Sequence, residues 1–355
     1  FDCKLVALDK KPEPDAAAYA AVGEDGRAVL RVTTPIMTVD IGCTTGLVER
    51  WCVRGVDFLG SGACALDVMR DANDSWGMLF TSWHDRLGSF TLLSDEEGSR
   101  FSDLDTVIPS VRVIEDGELR VVIEAVFGYE GSGATVRYAI SRVAPQIDLD
   151  IRIINQTKRR LIKLRLPQAL PDPVPVVETA FGEEPMHGEG REEIGQKFLT
   201  VTSSNGARLS VLNRGIYGSS FLDGSVYLTL LRSPGYTAHP IEDRQVMPTD
   251  RYSEHMEQGE RQFSLRLLAG AVSDRDTARQ AGVGRQPKPP KRENPLPKPQ
   301  GAPPFSIQLR LYVSLFRFVH AAFGQPAVPR TEGAYLESTK AERLPAAEPG
   351  RHGGR

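Results

Sequence analysis

The densest group of reactive side chains lies in residues 181–198, FGEEPMHGEGREEIGQKF. Two pairs of adjacent glutamates flank a histidine, and the candidates are Glu184, His187, Arg191 and Glu192. Paired carboxyl groups can act as general acid and base when burial separates their pKa values. The glycines of the stretch predict a long connection between strands rather than a strand. A solvated charged loop, whose ion pairs add little stability, remains the alternative.

A second candidate site lies in residues 66–83, LDVMRDANDSWGMLFTSW. Asp71 and Asp74 are interleaved there with Trp76 and Trp83. This combination suits carbohydrate recognition, because an aromatic ring covers the C–H face of a sugar while carboxylates accept hydrogen bonds from its hydroxyl groups. The alternative is structural, with Trp76 filling a core and the aspartates capping turns.

Metal and cofactor motifs are not evident in the sequence. The six histidines are scattered singly, and the four cysteines show no C-x-x-C spacing, so neither a structural zinc nor a disulfide framework is predicted. The sequence also lacks H-E-x-x-H, G-x-S-x-G and Walker motifs. A mixed histidine and carboxylate site assembled from distant loops remains open.

Composition narrows the class of protein. The chain has 355 residues and a formal net charge of -3, so it carries no positive field that would attract nucleic acid or an anionic membrane. It contains no run of about 18 apolar residues and no signal-peptide pattern at its start. We therefore expect a cytoplasmic protein with neither a nucleic-acid partner nor a membrane partner.

Short strands must position the candidate residues. Apolar and polar residues alternate through most of the region 27–270, as in residues 147–153, which is the pattern of half-buried strands. Asp116-Gly117 and Asn205-Gly206 predict tight hairpins. Further strands are predicted at residues 225–232 and 261–268. With no long helical pattern between them, the fold class is all-β, a large antiparallel β-sandwich.

Three segments are predicted along the chain. Residues 1–26 are a linker or the end of a preceding domain, and the absence of an initiator methionine before Phe1 suggests a fragment. Residues 27–270 are the β domain. Residues 271–355 are a proline-rich and basic linker followed by a poorly structured tail. A native extension, a disordered one and a shifted reading frame from about residue 300 all remain open for that tail.

Five stretches stand in order along the chain: DANDSWGM (71–78), VVETAFGEEPMHGEGREEIGQKF (176–198), NRGIYGSSF (213–221), LTLLRSPGYTAHP (228–240) and EQGERQFSLRL (257–267). Together they resemble the C-terminal half of bacterial family 38 α-mannosidases, and the resemblance covers roughly residues 30–270. At its end, Glu257 and Arg261 replace the acid and the histidine of that family's Asp-x-Gly-x-His-x-Phe segment.

The resemblance implies a β-supersandwich similar to galactose mutarotase, packed in the full enzyme against an N-terminal α/β barrel. In that family the barrel carries a zinc ion and an aspartate nucleophile, and the reaction retains configuration. No His-x-Asp zinc pair occurs in this sequence. We therefore expect zinc only in the full-length enzyme and none in this chain, no catalytic residue here, and no hydrolysis by this chain alone.

The partners that the resemblance implies are an α-mannoside and the catalytic barrel of the same polypeptide. Two other hypotheses stay open: a stand-alone carbohydrate-binding or mutarotase-like module, and a structural sandwich that binds another chain. A mutarotase would need His187 to meet Glu184 or Glu192 on one concave face. The residues predicted to bind substrate or shape the site are Asp71, Asp74, Trp76, Glu184, His187, Arg191, Glu192, Tyr217 and Arg232.

Overall fold

The computed structural model describes residues 17–77, 80–180, 182–238 and 245–270. These residues form three antiparallel sheets and one short helix. The predicted tail, residues 271–355, lies outside the described residues, as do residues 1–16. The all-β antiparallel fold class is confirmed.

The first sheet has five strands in chain order, each paired with the next. They are β1 (Ala18–Val22), β2 (Ala28–Thr33), β3 (Met37–Gly42), β4 (Val48–Val53) and β5 (Val56–Leu59). Because β1 pairs with β2 along its whole length, sheet structure begins before the predicted boundary at residue 27.

The remaining elements follow in chain order. The first group is β6 (Ala65–Arg70), β7 (Arg86–Ser89), β8 (Thr91–Leu92), α1 (Asp95–Phe101), β9 (Val111–Asp116), β10 (Arg120–Tyr129), β11 (Ser132–Ser141), β12 (Gln146–Asn155) and β13 (Arg160–Pro167). The second group is β14 (Val174–Thr179), β15 (Gly182–Pro185), β16 (Glu193–Ile194), β17 (Phe198–Thr202), β18 (Arg208–Asn213), β19 (Gly218–Leu222), β20 (Ser225–Arg232) and β21 (Gly259–Gly270).

The ten-stranded sheet has the order β15-β14-β17-β18-β21-β12-β11-β10-β8, with β9 also paired to β10. Its strands confirm the predicted alternation, since Ile147, Leu149, Ile151 and Ile153 of β12 are buried while the polar residues between them face outward. The predicted hairpins also form, β9 with β10 and β17 with β18. Gly206 occupies the second of these turns at φ 82°, a left-handed conformation that glycine adopts without strain.

The six-stranded sheet has the order β16-β19-β20-β13-β6-β7. Its apolar side belongs to one core that it shares with the other two sheets. This core contains Leu164 and Leu228 of the six-stranded sheet. It also contains Leu149 of β12, in the ten-stranded sheet, and Trp51 of β4, in the first sheet. The other side of the six-stranded sheet carries polar residues at the alternate positions of the same strands. That polar side positions the candidate site.

The helix α1 was not predicted, because its seven residues are too few to show a 3.6-residue period. Its local signal is a capping box, in which the Ser94 side chain accepts from the backbone of Glu97 and the Glu97 side chain accepts from that of Ser94. Among the described residues, no helix is long and apolar enough to span a membrane. The cytoplasmic location stays a prediction.

Candidate functional site

A buried ion pair organises the loop that follows β6. The guanidinium of Arg232, at the end of β20, binds the Asp71 carboxylate through two hydrogen bonds, Nε to Oδ2 at 3.0 Å and Nη2 to Oδ1 at 2.9 Å. The indole N–H of Trp83 donates a third at 2.8 Å. The Asp71 side chain is fully buried, and the Arg232 guanidinium carbon lies 4.8 Å from the centre of the Trp83 ring. The pair therefore joins β20 to both ends of the loop.

The aspartates of this loop have structural roles. Asp74 Oδ1 accepts from the backbone N–H of Trp76 at 3.1 Å, and the Asp74 carbonyl accepts from Arg232 at 3.0 Å. The hydroxyl groups of Ser75 and Thr237 lie 3.0 Å apart and tie the loop to the segment after β20. These contacts support the turn-capping alternative for Asp74.

The core-filling alternative is wrong for Trp76. Its side chain is 48% exposed, whereas Trp51 is the tryptophan buried in the core. Phe80 is also exposed, and its ring lies 6.1 Å from that of Trp83. The loop therefore presents aromatic faces to solvent next to a buried carboxylate.

The glutamate-rich segment is not a plain connection, which corrects the prediction. Gly182–Pro185 forms β15, an edge strand paired with β14 of the ten-stranded sheet, and Glu193–Ile194 forms β16, paired with β19 of the six-stranded sheet. Backbone pairing at a sheet edge needs no apolar alternation, so the residue pattern carried no sign of it. The segment crosses from one sheet to the other. Glu184 is exposed on β15.

Glu192 anchors this segment to the polar side of the six-stranded sheet. Its carboxylate accepts from the ammonium group of Lys163 at 2.6 Å and from the hydroxyl of Thr229. Lys163 also donates to the Ser220 hydroxyl at 2.9 Å. A Cβ on Gly218 would stand 2.7 Å from the Glu192 carboxylate, so a larger residue there would displace the end of the Glu192 side chain.

Lys163 is buried, and its side chain is 1% exposed. Burial lowers the pKa of Lys163, while the charge of Glu192 and its hydrogen bond act in the opposite direction. An ammonium group in such a place is costly unless it is paired. Lys163 was not predicted, because a lysine on the polar side of a strand looks solvent-exposed until a distant segment covers it.

His187 does not meet the glutamates that a mutarotase would require. Its Nδ1 contacts the carboxylate of Glu193, and both His187 and Glu184 are exposed. Arg191 lies 3.9 Å from the same Glu193 carboxylate. The convergence of His187 with Glu184 or Glu192 that a mutarotase would need is therefore not observed, since Glu192 turns toward the sheet and Glu193 toward His187.

The two candidate segments meet through their backbones. Arg191 forms a bridge with Ser82, and the Glu192 N–H donates to the Thr81 carbonyl at 2.9 Å. Tyr217 is exposed beside them, and its carbonyl accepts from the Gly195 N–H at 2.8 Å. The structure thus gathers seven of the predicted residues on the loops and strand ends of the six-stranded sheet, whereas Glu184 lies on the edge of the other sheet. The seven are Asp71, Asp74, Trp76, Arg191, Glu192, Tyr217 and Arg232.

The described residues do not form a zinc site. No three His, Cys, Asp or Glu side chains in the described ranges are grouped so that they could hold a metal ion. Asp71 and Glu192 are each committed to a cationic side chain. His239, a residue of the stretch 228–240, lies outside the described residues.

Several solved structures are similar to this chain, two of them with TM-scores above 0.5. A glycosyl hydrolase family 38 protein from Enterococcus faecalis matches 77% of this chain and 33% of its own at 14% identity and a TM-score of 0.57. An alpha-mannosidase from Enterococcus faecalis V583 matches 77% of this chain and 32% of its own at 14% identity and a TM-score of 0.55. A galactose mutarotase-like protein from Clostridium acetobutylicum matches 73% of this chain and 99% of its own at 8% identity and a TM-score of 0.39. No curated protein matches the chain.

The two Enterococcus structures share the fold of this chain. This chain spans about a third of the length of those structures. Residues 78–240 match the model of the glycosyl hydrolases family 38 C-terminal domain. This match confirms, over those residues, the resemblance to the C-terminal half of family 38 enzymes.

Proposed function

We propose that this chain is the carbohydrate-facing C-terminal part of a retaining, zinc-dependent α-mannosidase that hydrolyses terminal α-mannosides. The observation that carries the proposal is the family 38 match over residues 78–240. The matched region contains most of the loops gathered around the six-stranded sheet, including Arg191, Glu192, Tyr217 and Arg232. One of the solved structures with the same fold is that of an alpha-mannosidase, which supports the choice of substrate.

Two parts of one polypeptide have separate roles, catalysis in one and sugar recognition in the other. In this proposal the zinc ion and the aspartate nucleophile belong to an N-terminal barrel, as the resemblance to family 38 implies. This chain supplies the rim of the site. Trp76 presents a ring to the sugar, and the Asp71–Arg232 pair holds the loop that carries this ring.

Aromatic rings contribute to sugar binding without forming a bond to the reacting atoms. The exposed Trp76 ring can cover the C–H face of a pyranose, while Arg191 and Tyr217 offer hydrogen-bond donors from neighbouring loops. Under this account Trp76, Arg191 and Tyr217 shape the site, and Asp71, Glu192 and Arg232 position the loops.

A stand-alone carbohydrate-binding module is the second candidate. The exposed aromatic surface of Trp76 and Phe80 favours it, because such a surface binds sugar without any catalytic domain. The mutarotase form of this alternative loses support, since His187 contacts Glu193 rather than Glu184 or Glu192.

A turnover assay tests the proposal. The purified chain, and a polypeptide that joins it to its catalytic barrel, would each be incubated with a chromogenic α-mannoside, with zinc and with a chelator. We expect turnover only from the joined polypeptide, loss of turnover with the chelator, and retained configuration in the product by NMR. Turnover by this chain alone would contradict the assignment of catalysis to the barrel. Hydrolysis of other glycosides but not α-mannosides would overturn the substrate assignment.

Calorimetric titration of the chain with mannose and α-mannobiose separates the second candidate from the first. Sugar binding by a chain whose joined polypeptide never hydrolyses a glycoside would favour the stand-alone module. Sugar binding that accompanies zinc-dependent turnover by the joined polypeptide would favour the enzyme.

A further inference from the structure

A groove of about 430 Å³ lies on the outer side of the ten-stranded sheet. Strands β10, β11, β12 and β21 form its floor, and the chain just after α1 contributes Leu104 to its wall. This wall is packed closely on the sheet, since a Cβ on Gly133 of β11 would stand 2.2 Å from the Phe101 ring. The Val126 N–H also donates to the Ser110 carbonyl at 3.0 Å. The wall is therefore held in place by packing and by backbone pairing.

A row of polar side chains crosses the floor of the groove from strand to strand. Its members are direct cross-strand neighbours, in the order Arg112, Glu124, Arg137, Asp150 and Ser264. The Glu124 side chain is only 7% exposed, and its carboxylate accepts from Arg112 and from Arg137 Nε at 2.7 Å. This buried carboxylate therefore fixes the position of the Arg137 guanidinium.

Arg137 and Asp150 keep hydrogen-bonding capacity that is accessible to solvent. The Arg137 side chain is 56% exposed, and among the described residues only its Nε has a partner, so both Nη groups remain available as donors. Asp150 is also exposed, accepts from the Ser264 hydroxyl at 2.9 Å and forms no ion pair with a described residue. Arg137 and Asp150 are cross-strand partners but do not pair with each other. A group between them can accept from one and donate to the other.

The chemistry of the groove favours a neutral ligand that carries hydroxyl groups. A hydroxyl group accepts and donates at the same atom, whereas a phosphate would be repelled by Asp150 and an ammonium group by Arg137. At least six described residues separate every lining residue along the chain from an undescribed one, so no undescribed segment leads directly into the wall. The described charges of the groove also balance, with three arginines in the lining and three carboxylates in it or paired to it: Arg112, Arg137 and Arg152, and Glu124, Asp150 and Glu260.

We propose that this groove binds a neutral sugar, one hydroxyl group of which accepts a hydrogen bond from Arg137 and donates one to Asp150. Thr135, Gln262 and Ser264 also line the groove and offer partners for neighbouring hydroxyl groups. The volume is sufficient for a monosaccharide or a disaccharide, since ligand pockets run from about 300 to 1,000 Å³. Because these polar groups exchange water for the sugar, we expect a Kd in the millimolar range. The inference goes beyond the proposed function, because all of these residues lie on the ten-stranded sheet.

Titration of the purified full chain, followed by NMR of the sugar signals, tests the proposal. The neutral probes are glucose, galactose, mannose and α-mannobiose, and the charged probes are glucuronate and glucosamine. We expect at least one neutral sugar to bind more tightly than both charged sugars, with an affinity that changes little as salt is added. The proposal would be overturned if the folded chain bound none of the neutral sugars, or if either charged sugar bound more tightly than all of them.

Variants locate the site. Asp150→Ala and Arg137→Ala should each weaken binding of the neutral sugar by about tenfold, since each removes a hydrogen bond to a charged group. Asp148→Ala is the matched control, because Asp148 lies on the same side of β12 but is paired with Arg266, and it should leave binding unchanged. Equal weakening by Asp148→Ala, or binding that both Asp150→Ala and Arg137→Ala leave intact, would contradict the assignment. Binding lost in Trp76→Ala instead would place the sugar at the loops of the proposed function.

Discussion

Two aspartate–arginine pairs of the same chemistry lie on the two large sheets in different surroundings. Asp71 and Arg232 form two hydrogen bonds, and so do Asp148 and Arg266 on the outer side of the ten-stranded sheet, at 2.6 and 2.9 Å. The Asp71 side chain is 0% exposed and that of Asp148 is 34% exposed. The first pair holds a loop, and the second connects two adjacent strands. Burial rather than pairing therefore distinguishes the candidate site from an ordinary charged sheet surface.

The same contrast recurs in further pairs, although the ten-stranded sheet also holds one buried carboxylate, Glu124, paired with Arg112. Asp67 is fully buried beside Arg165 at 2.9 Å, and Lys163 is buried beside Glu192, both on the polar side of the six-stranded sheet. On the ten-stranded sheet Arg152 and Glu260 form a pair whose side chains are more than 40% exposed. Exposed pairs of this kind stabilise little, whereas breaking a buried one leaves a charge without compensation. Stability measurements can separate the two surfaces.

Glu192→Gln should give the largest effect. It leaves the buried Lys163 ammonium without its anion, so we expect the free energy of unfolding to fall by about 3 to 5 kcal/mol. Urea unfolding measures this change in the free energy of unfolding. Glu260→Gln is the matched control on the ten-stranded sheet and should change stability by less than about 1 kcal/mol. Equal losses in the two variants would contradict the distinction between the sheets.

Asp71→Asn should have the next largest effect. The buried carboxylate serves Arg232 and Trp83, and loss of its charge should cost about 2 kcal/mol. Its control, Asp148→Asn, removes the exposed counterpart and should cost less than about 1 kcal/mol. Thermal unfolding of both variants tests this, and a larger loss for Asp148→Asn than for Asp71→Asn would reverse the comparison.

Lys163 should make stability depend on pH. Burial holds its folded-state pKa below the ordinary value of 10.5, so the unfolded chain binds more protons between those two pKa values. The stability of the wild type should therefore rise relative to that of Lys163→Met as the pH increases through this window toward 10.5. Lys197→Met, which removes an exposed lysine, is the control. A fall of wild-type stability relative to Lys163→Met in that window would contradict the lowered pKa.

Arg266→Gln should have the smallest effect. Its partner Asp148 is partly exposed and also accepts from Gln146 at 3.0 Å, so solvent and a neighbour replace the lost bonds. We expect a change in the free energy of unfolding of less than about 0.5 kcal/mol. A loss as large as that of Asp71→Asn would show that the outer side of the ten-stranded sheet holds structure together in the same way.

The local pattern of apolar, polar and turn residues was sufficient to predict most of the strands. The alternation of residues 147–153 predicted β12, and the turn pairs predicted the hairpins on either side of Gly117 and Gly206. Three short elements were not predicted, because β15 and β16 pair only through their backbones at sheet edges and α1 is only seven residues long. Such pieces depend on contacts between distant segments, and these leave no periodic trace.

The candidate site was predictable only in part. Aspartates beside tryptophans marked the loop that begins at Asp71, and the resemblance to family 38 brought in Tyr217 and Arg232. Lys163 could not be recognised, because its burial requires Glu192 to return from a segment far along the chain. His187 also could not be assigned a partner from the sequence, since Glu192 and Glu193 are neighbours and only their opposite side-chain directions make Glu193 its partner.

The most direct test of the central claim compares two exposed aromatic residues in a polypeptide that joins this chain to the proposed catalytic barrel. Trp76 is 48% exposed beside the Asp71–Arg232 pair, and Tyr19 is 49% exposed on the five-stranded sheet. The measurement is kcat/KM for a chromogenic α-mannoside in the Trp76→Ala and Tyr19→Ala variants. The account predicts a loss of about tenfold or more for Trp76→Ala and no change for Tyr19→Ala. Equal values for the two variants would contradict the claim that the loops of the six-stranded sheet face the sugar.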